Sequence, residues 1–196
     1  HQVLGGSLEQ SHVIRGMVFD KQPVSALPAL CNLVDPKIAI FTCPIDVAET
    51  ETSGNALLTN AQELMDFNQD EEKLIEKYIL DIKNSGVTMI VTGGTVSDLA
   101  THYMEKHGLQ CLRIHSRFEL RRLCRAVNAR PLVSLGSVPE QYQGHCGRIY
   151  TKEIGLQIHT IFEHAEGNTC NISKIVLRAA THNTLNDVEL AIDDGV

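Results

Sequence analysis

Residues 87–108 read VTMIVTGGTVSDLATHYMEKHG, and this stretch decides the fold. The run before Gly93-Gly94 is apolar and rich in β-branched residues, which is typical of a buried strand. From Thr95 to His107 the apolar residues recur with the spacing of an amphipathic helix, which Gly108 ends. The sequence therefore predicts a strand, a two-glycine turn and a helix, the repeating unit of an α/β fold.

The neighbouring segments extend this unit on both sides. Upstream, residues 37–43 predict another buried strand, which Pro44 stops. Downstream, residues 111–114 predict a short strand, and Ser116 is placed to cap a further helix. The apolar positions of that helix are Phe118, Leu120, Leu123, Cys124 and Val127. This order of elements predicts a mixed α/β chain organised as one domain.

Between the first two strands of this core lies a polar segment. Residues 46–55 are acidic, rich in Thr and contain glycine, so we expect them to be exposed. A helix start is predicted at residues 59–60, an interruption at Asn68-Gln69-Asp70, and a longer amphipathic helix over 70–83. Gly86 provides the stop of that helix.

The two ends of the chain are richer in strands. Residues 13–19 predict a buried strand, and the prolines at 23 and 28 predict a loop after it. Three strands and a helix are predicted in the last third of the chain: 148–154, 157–162, 174–177, and a helix that begins near 181–183.

Composition excludes some classes of function. The chain has 196 residues, with 17 Lys and Arg against 24 Asp and Glu, a net charge of −7. No block of five or six basic residues occurs, so no nucleic-acid partner is expected. No apolar run approaches the roughly 20 residues that cross a bilayer, and the first residues lack the pattern of a secretory signal. We expect a cytoplasmic protein without membrane contact, and because it begins with His1 instead of Met, a piece of a longer chain.

No metal or hydrolase motif is recognisable. The six cysteines are too far apart for a C-x-x-C pair, which predicts buried thiols in a reducing compartment. His102 and His107 are five residues apart and His145-Cys146 are adjacent, whereas zinc sites prefer i, i+4 histidines or C-x-x-C knuckles. The G-x-S-x-G motif of a nucleophile elbow does not occur. We therefore predict neither a metal nor a catalytic triad.

Two features leave functional alternatives open. The Gly93-Gly94 turn before a helix could let backbone N–H groups approach an anion, which would fit a nucleotide-binding α/β enzyme. It lacks the third glycine of G-x-G-x-x-G and the Gly-Lys-Ser/Thr of a P-loop, so a plain strand-to-helix turn is favoured. The other feature is the outward face of the following helix, which is polar at Asp98, Thr101, His102 and Glu105, with Met104 at its margin. Periodicity alone favours a solvated face.

Four segments resemble a known family. Residues 13–19 (VIRGMVF), 37–40 (KIAI), 85–91 (SGVTMIV) and especially 96–103 (VSDLATHY) are similar to the apical domain of group II chaperonin subunits. The resemblance extends over nearly the whole chain. It implies a single apical domain over 1–196, an α/β fold with a β-sandwich flanked by helices, and residues 185–196 leading into an intermediate domain. It also implies that residues 46–70, together with the N-terminal part of the following helix, form a helical protrusion, the family's built-in lid.

The resemblance changes the interpretation of the polar helix face. In the family, a groove between the helix after the Gly-Gly turn and a nearby loop binds non-native client proteins. The implied client-binding residues here are Asp98, Thr101, His102 and Glu105 on the helix, with Lys21, Gln22 and Ser25 in the loop.

ATP chemistry is implied only for the longer parent protein. The family hydrolyses Mg-ATP in an equatorial domain whose Gly-Asp-Gly-Thr loop does not occur here, and its subunits form a hetero-oligomeric double ring. Asp194 falls on the position of the carboxylate that activates the attacking water. For this segment the resemblance implies no enzyme activity and no bound cofactor.

Overall fold

A computed structural model of the chain describes residues 1–24, 32–46, 61–155, 157–164 and 172–195, with the backbone alone for 61–71. Contacts divide the chain into two compact units. The first comprises His1–Gln22, Ala29–Asp35 and Cys146–Val196, and the second comprises Pro23–Pro28 and Pro36–His145. Each unit has its own sheet and its own buried core.

The described elements are as follows. The strands are β1 (Gln2–Leu4), β2 (His12–Phe19), β3 (Asn32–Val34), β4 (Lys37–Phe41), β5 (Met89–Thr92), β6 (Gln110–Arg113), β7 (Gly144–His145), β8 (Arg148–Ile154), β9 (Gln157–Glu163) and β10 (Ser173–Ala179). The helices are α1 (Ala61–Asn84), α2 (Asp98–Lys106), α3 (Arg117–Ala126) and α4 (His182–Gly195). The predicted mixed α/β class is confirmed.

The second unit is built on the predicted strand–turn–helix repeat. Its sheet has the order β6-β5-β4-β7, in which β4, β5 and β6 are parallel and β7 runs antiparallel to β4. Every residue of β5 is buried, as expected for a parallel strand covered on both faces. The core of this unit includes Phe41 and Ile90 from the sheet and Met104 from α2.

Helix α1 corrects one expectation. It is a single helix of 24 residues, and Asn68-Gln69-Asp70, predicted to interrupt it, are helical. Each of these residues costs only a few tenths of a kcal/mol in a helix interior, so three of them do not stop a helix by themselves. The last turns of α1 pack into the core through Ile75, Ile79 and Ile82.

The first unit has a six-stranded sheet in the order β1-β10-β2-β9-β8-β3. The predicted strands at 148–154 and 157–162 are present as β8 and β9 and pair as an antiparallel hairpin, with Gly155 at φ +70° in its turn. Helix α4 packs on β10 through Leu185, Val188 and Ile192. The expectation of one apical domain over 1–196 stays a prediction. None of the helices in the described ranges has the length and hydropathy of a bilayer-spanning helix.

Candidate functional site

The first turn of α2 is fixed to the chain segment after β4. The Ser97 hydroxyl caps the helix by accepting a hydrogen bond from the Ala100 N–H at 3.2 Å. The Ile45 carbonyl accepts hydrogen bonds from the Ser97 N–H at 3.2 Å and from its hydroxyl at 3.4 Å. The Ile45 N–H donates to the Thr95 carbonyl at 2.8 Å. Ile45 is buried, so this link holds the start of α2 firmly against the core.

The outward face of α2 differs in part from the expected one. Asp98 and His102 are exposed, whereas Thr101 and Glu105 are half-buried. The Thr101 hydroxyl donates to the Ser97 carbonyl at 3.1 Å, so part of its hydrogen-bonding capacity is used within the helix. Met104, expected at the margin, is 1% exposed and belongs to the core. The exposed polar surface of α2 is therefore centred on Asp98 and His102.

The last turn of α2 is tied to α1 by charge. The Lys106 ammonium lies 2.8 Å from a carboxylate oxygen of Glu76, and the His107 Nε2 atom lies 3.8 Å from the same oxygen. The hydrogen bond from Lys106 lowers the pKa of Glu76, and the same contact raises the pKa of Lys106. The two ends of α2 are therefore both connected to neighbouring segments, the first turn by hydrogen bonds to Ile45 and the last turn by the ion pair with Glu76.

Two of the three loop residues of the predicted site, Lys21 and Gln22, lie in the first unit. Lys21 and Gln22 are exposed after β2, and the Lys21 carbonyl accepts a hydrogen bond from the Thr160 hydroxyl at 2.6 Å. Both residues line a polar surface groove together with Asp20, Glu153, Gln157 and Ile158. Ser25 lies outside the described residues.

The Gly93-Gly94 turn does not have the geometry of an anion site. The Gly93 N–H donates to the Phe41 carbonyl at 3.0 Å, and the Gly94 N–H donates to the Thr92 hydroxyl at 3.1 Å. The Thr92 hydroxyl in turn donates to the Cys43 carbonyl at 2.9 Å. Both glycine amides are therefore already hydrogen-bonded within the protein, and the turn does not fit the phosphates of ATP.

A further surface, on α3, was not identified from the sequence. Phe118, grouped above with the apolar positions of this helix, has a 77% exposed side chain, because it lies about 200° around the helix from Leu120. On another face of α3 a groove is lined by Arg117, Leu120, Arg121, Cys124, Arg125, Asn128, Ala129 and Pro131. The spacing of Arg117, Arg121 and Arg125 at i, i+4 and i+8 is the sequence pattern from which a basic face on this helix could have been predicted.

The remaining candidates bring no reactive group together. Asp194 is exposed in the last turn of α4. Cys43, Cys111, Cys124 and Cys146 are unbridged thiols, while Cys31 and Cys170 lie outside the described residues. Among the residues that the structure describes, no three His, Cys, Asp or Glu side chains are grouped as a metal site requires.

Comparison with known sequences gives matches over the whole chain. The family described as "TCP-1/cpn60 chaperonin family" matches residues 1–196. T-complex protein 1 subunit theta is 45% identical over 195 residues in Saccharomyces cerevisiae, 43% in Schizosaccharomyces pombe and 38% in Homo sapiens. Each match covers 100% of this chain but only 34% or 35% of the relative. The chain thus spans about a third of the length of these relatives.

The fold has a counterpart among solved structures. The open-state monomer of a group II chaperonin from Methanococcoides burtonii superposes with a TM-score of 0.77, over 99% of this chain and 41% of that one. The sequence identity is 19%, so this likeness concerns the fold alone.

Proposed function

Because the chain belongs to the TCP-1/cpn60 chaperonin family, we propose that it is the apical domain of a chaperonin subunit and that it binds non-native client polypeptides. The family match, together with 38–45% identity to theta subunits, supports a role in chaperonin-assisted protein folding. The observation that carries the client-binding proposal is the polar face of α2, which is presented on a helix anchored at both ends.

The chemistry of this face suits polypeptides without a fixed sequence. Asp98 offers a carboxylate and His102 an imidazole. The centroid of the His102 ring lies 5.7 Å from the centroid of the Tyr103 ring, in an edge-to-face arrangement. Exposed groups of this kind form hydrogen bonds with backbone amides and carbonyls, which every client carries. Lys21 and Gln22, with Ser25, supply the loop part of the proposed client surface.

The remaining proposals follow from the family. Residues 46–70 form the helical protrusion that acts as a lid, with Ala61 onward being the start of α1 and 47–60 lying outside the described residues. Residues 185–196 lead into an intermediate domain. The longer protein assembles with other subunits in a cytoplasmic double ring and binds Mg-ATP in its equatorial domain, where Asp194 activates the attacking water. The chain itself has no enzyme activity.

Client capture by two matched variants tests the proposal. The first carries Asp98→Ala and His102→Ala on α2, and the control carries Asp187→Ala and His182→Ala, exposed positions of the same residue types on α4. The probe is a fluorescently labelled, permanently unfolded polypeptide, such as reduced and carboxymethylated α-lactalbumin. We expect several-fold weaker binding for the α2 variant and unchanged binding for the control.

Two outcomes would count against this assignment. Equal binding by both variants, together with loss of binding in Arg121→Gln, would move the client surface to α3. A rise in melting temperature with saturating ATP would instead favour the nucleotide-binding alternative, because a ligand that binds only the folded state stabilises it.

A further inference from the structure

His107 is the half-buried histidine of the second unit. The other three histidines of that unit, His102, His115 and His145, are exposed. His107 follows the last turn of α2, and its backbone N–H donates to the Tyr103 carbonyl at 3.1 Å. Its Nε2 atom is buried and, among the residues that the structure describes, has no hydrogen-bond partner. The fold therefore holds an imidazole in a packed position without using this nitrogen.

The unused nitrogen of His107 lies beside a carboxylate on α1. It is 3.8 Å from the Glu76 Oε1 atom, which is too far for a hydrogen bond. The Lys106 ammonium already donates to the same oxygen at 2.8 Å. A carboxylate has two oxygens and about four acceptor positions, so Glu76 can accept a second hydrogen bond. His107 and Glu76 thus form a contact between α2 and α1 that is close but incomplete.

The charges around this contact come from α2 itself and from α1 and β6, which pack against it. On α1, Lys73 lies one turn before the carboxylate, and on α2, Glu105 lies two residues before His107. Each has an interaction of its own, and their charges are opposite. The charged residue of β6, Arg113, is at the end of the strand remote from His107. The Tyr103 ring lies under the lysine ammonium, whose nitrogen is 5.3 Å from the ring centroid. The carboxylate of α1 is therefore the counter-charge that faces the imidazole.

We propose that His107 and Glu76 form a pH-sensitive latch between α1 and α2, which closes when the imidazole is protonated. A protonated imidazole carries N–H on both ring nitrogens, so Nε2 must then present a proton to the carboxylate. The imidazolium also lies at the C-terminal end of α2, where the helix dipole favours a cation. A neutral imidazole gains neither of these interactions. Mild acidification therefore strengthens the link between the two helices.

The latch connects two parts of the proposed function. Helix α1 begins in the proposed protrusion, and α2 carries the proposed client surface. Protonation of His107 would thus join the protrusion more firmly to the helix that binds clients. This consequence rests on the proposed function, whereas the latch itself rests on the contact between His107 and Glu76.

The pH range of the latch is distinct from the range in which Glu76 titrates. The hydrogen bond from Lys106 lowers the pKa of Glu76 below its ordinary value of 4.5, so the carboxylate stays charged down to pH 5.5. Histidine is the side chain that ordinarily changes its charge between pH 5 and 8. A group that gains a partner on protonation stabilises the fold at low pH, and this contribution is lost as the pH rises. The link between α1 and α2 should therefore be tighter at pH 5.5 than at pH 7.5.

Amide hydrogen exchange at the end of α2 tests the latch. The reporters are the N–H groups of Gly108 and Leu109, which donate to carbonyls of the last turn of α2 at 3.0 and 2.8 Å. Between pH 7.5 and 5.5 at low salt, their protection factors, corrected for the intrinsic exchange rate, should rise about threefold. Added salt should reduce this rise, because both side chains are partly exposed to solvent. His107→Gln and Glu76→Gln should each abolish the rise. The control His115→Gln, at an exposed histidine of the same unit, should keep it.

The proposal fails if protection does not rise between these two pH values, or if it rises equally in His107→Gln. It also fails if Glu76→Gln keeps the full rise, because the imidazolium would then act on the helix dipole and not on α1. If thermal melting shows that His107→Gln is unfolded, His107→Asn replaces it in the same comparison. The expected exchange results together with a failed client-capture test would confirm the latch and remove only its connection to client binding.

Discussion

A Cβ atom placed on Gly94 would lie 2.5 Å from the Cα atom of Pro44. The Pro44 nitrogen would be equally close, and both contacts are with backbone, which cannot rotate away. The turn after β5 therefore requires glycine at this position for packing, since its φ is not in the left-handed region. This close approach explains the second glycine of the pair.

Gly94→Ala should destabilise the protein by about 1–3 kcal/mol, the usual cost of forcing an extra carbon into a packed region. Gly93→Ala is the matched comparison. Its Cβ would lie 3.2 Å from the Leu120 Cδ2 atom, the end of a side chain that can move. Urea unfolding of both variants measures the difference, and a larger loss for Gly93→Ala would contradict the packing argument.

Met104→Ala should cost about 2–5 kcal/mol, because it leaves a cavity behind α2. Leu99→Ala should cost less, since Leu99 is only half-buried. The triple change of Thr101, His102 and Glu105 to Ala should stay within about 1 kcal/mol, as substitutions outside the core do. Denaturant midpoints of the three variants test this order, and a triple variant less stable than Met104→Ala would show that the polar face has a structural role.

The ion pair of Glu76 and Lys106 should make stability depend on pH below 4.5. The pKa of Glu76 is below its ordinary value of 4.5 in the folded protein. Its contribution is therefore present above pH 4.5 and is lost as the pH falls through the folded pKa. In Lys106→Gln the pKa of Glu76, followed by NMR titration, should rise toward 4.5. The control is Lys83→Gln, which removes a lysine from α1, the helix that carries Glu76, and should leave the pKa of Glu76 unchanged. An equal rise of this pKa in Lys83→Gln would show that Lys106 has no specific role.

Cys111 and Cys146 should resist alkylation while the protein is folded. Burial raises the pKa of each thiol to about 12, so about one molecule in ten thousand carries the reactive thiolate at pH 8. Of the four cysteines in the described ranges, Cys43 is the half-buried one and should react before the three buried ones with iodoacetamide. Mass spectrometric mapping over time gives the order in which the cysteines are alkylated. In urea, where the protein is unfolded, the differences in alkylation rate should disappear. Labelling of Cys111 as fast as Cys43 in the folded protein would mean that the core opens readily.

The sequence correctly predicts those helices and strands whose local hydrophobic pattern matches their burial in the folded protein. β5, the Gly-Gly turn and α2 are examples, because a buried parallel strand requires a continuous apolar run. β1, β3 and β7 were not predicted. They contain only two or three residues and exist through pairing with β10, β8 and β4, which no local pattern encodes.

The exposure of the side chains on α2 was predicted in outline but not in detail. Helical periodicity correctly placed Asp98 and His102 outward. It misplaced Met104, although Met104 lies four residues after Ala100 and shares its buried side. The half-burial of Thr101 and the groove on α3 depend on neighbouring segments, which the spacing of one helix cannot reveal.

The strand order of the six-stranded sheet constrains how the chain folds during synthesis. β1 pairs with β10, so Gln2 lies opposite Leu177, and β2 pairs with β9 and β10. Nearly the whole chain must therefore be synthesised before β1 and β2 can pair with β9 and β10. In contrast, all strands of the second unit's sheet lie within the continuous range 36–145. Contacts between residues so distant in sequence form slowly and leave strand edges unpaired meanwhile. A nascent chain released after residue 145 would expose β2 as an unpaired, apolar strand.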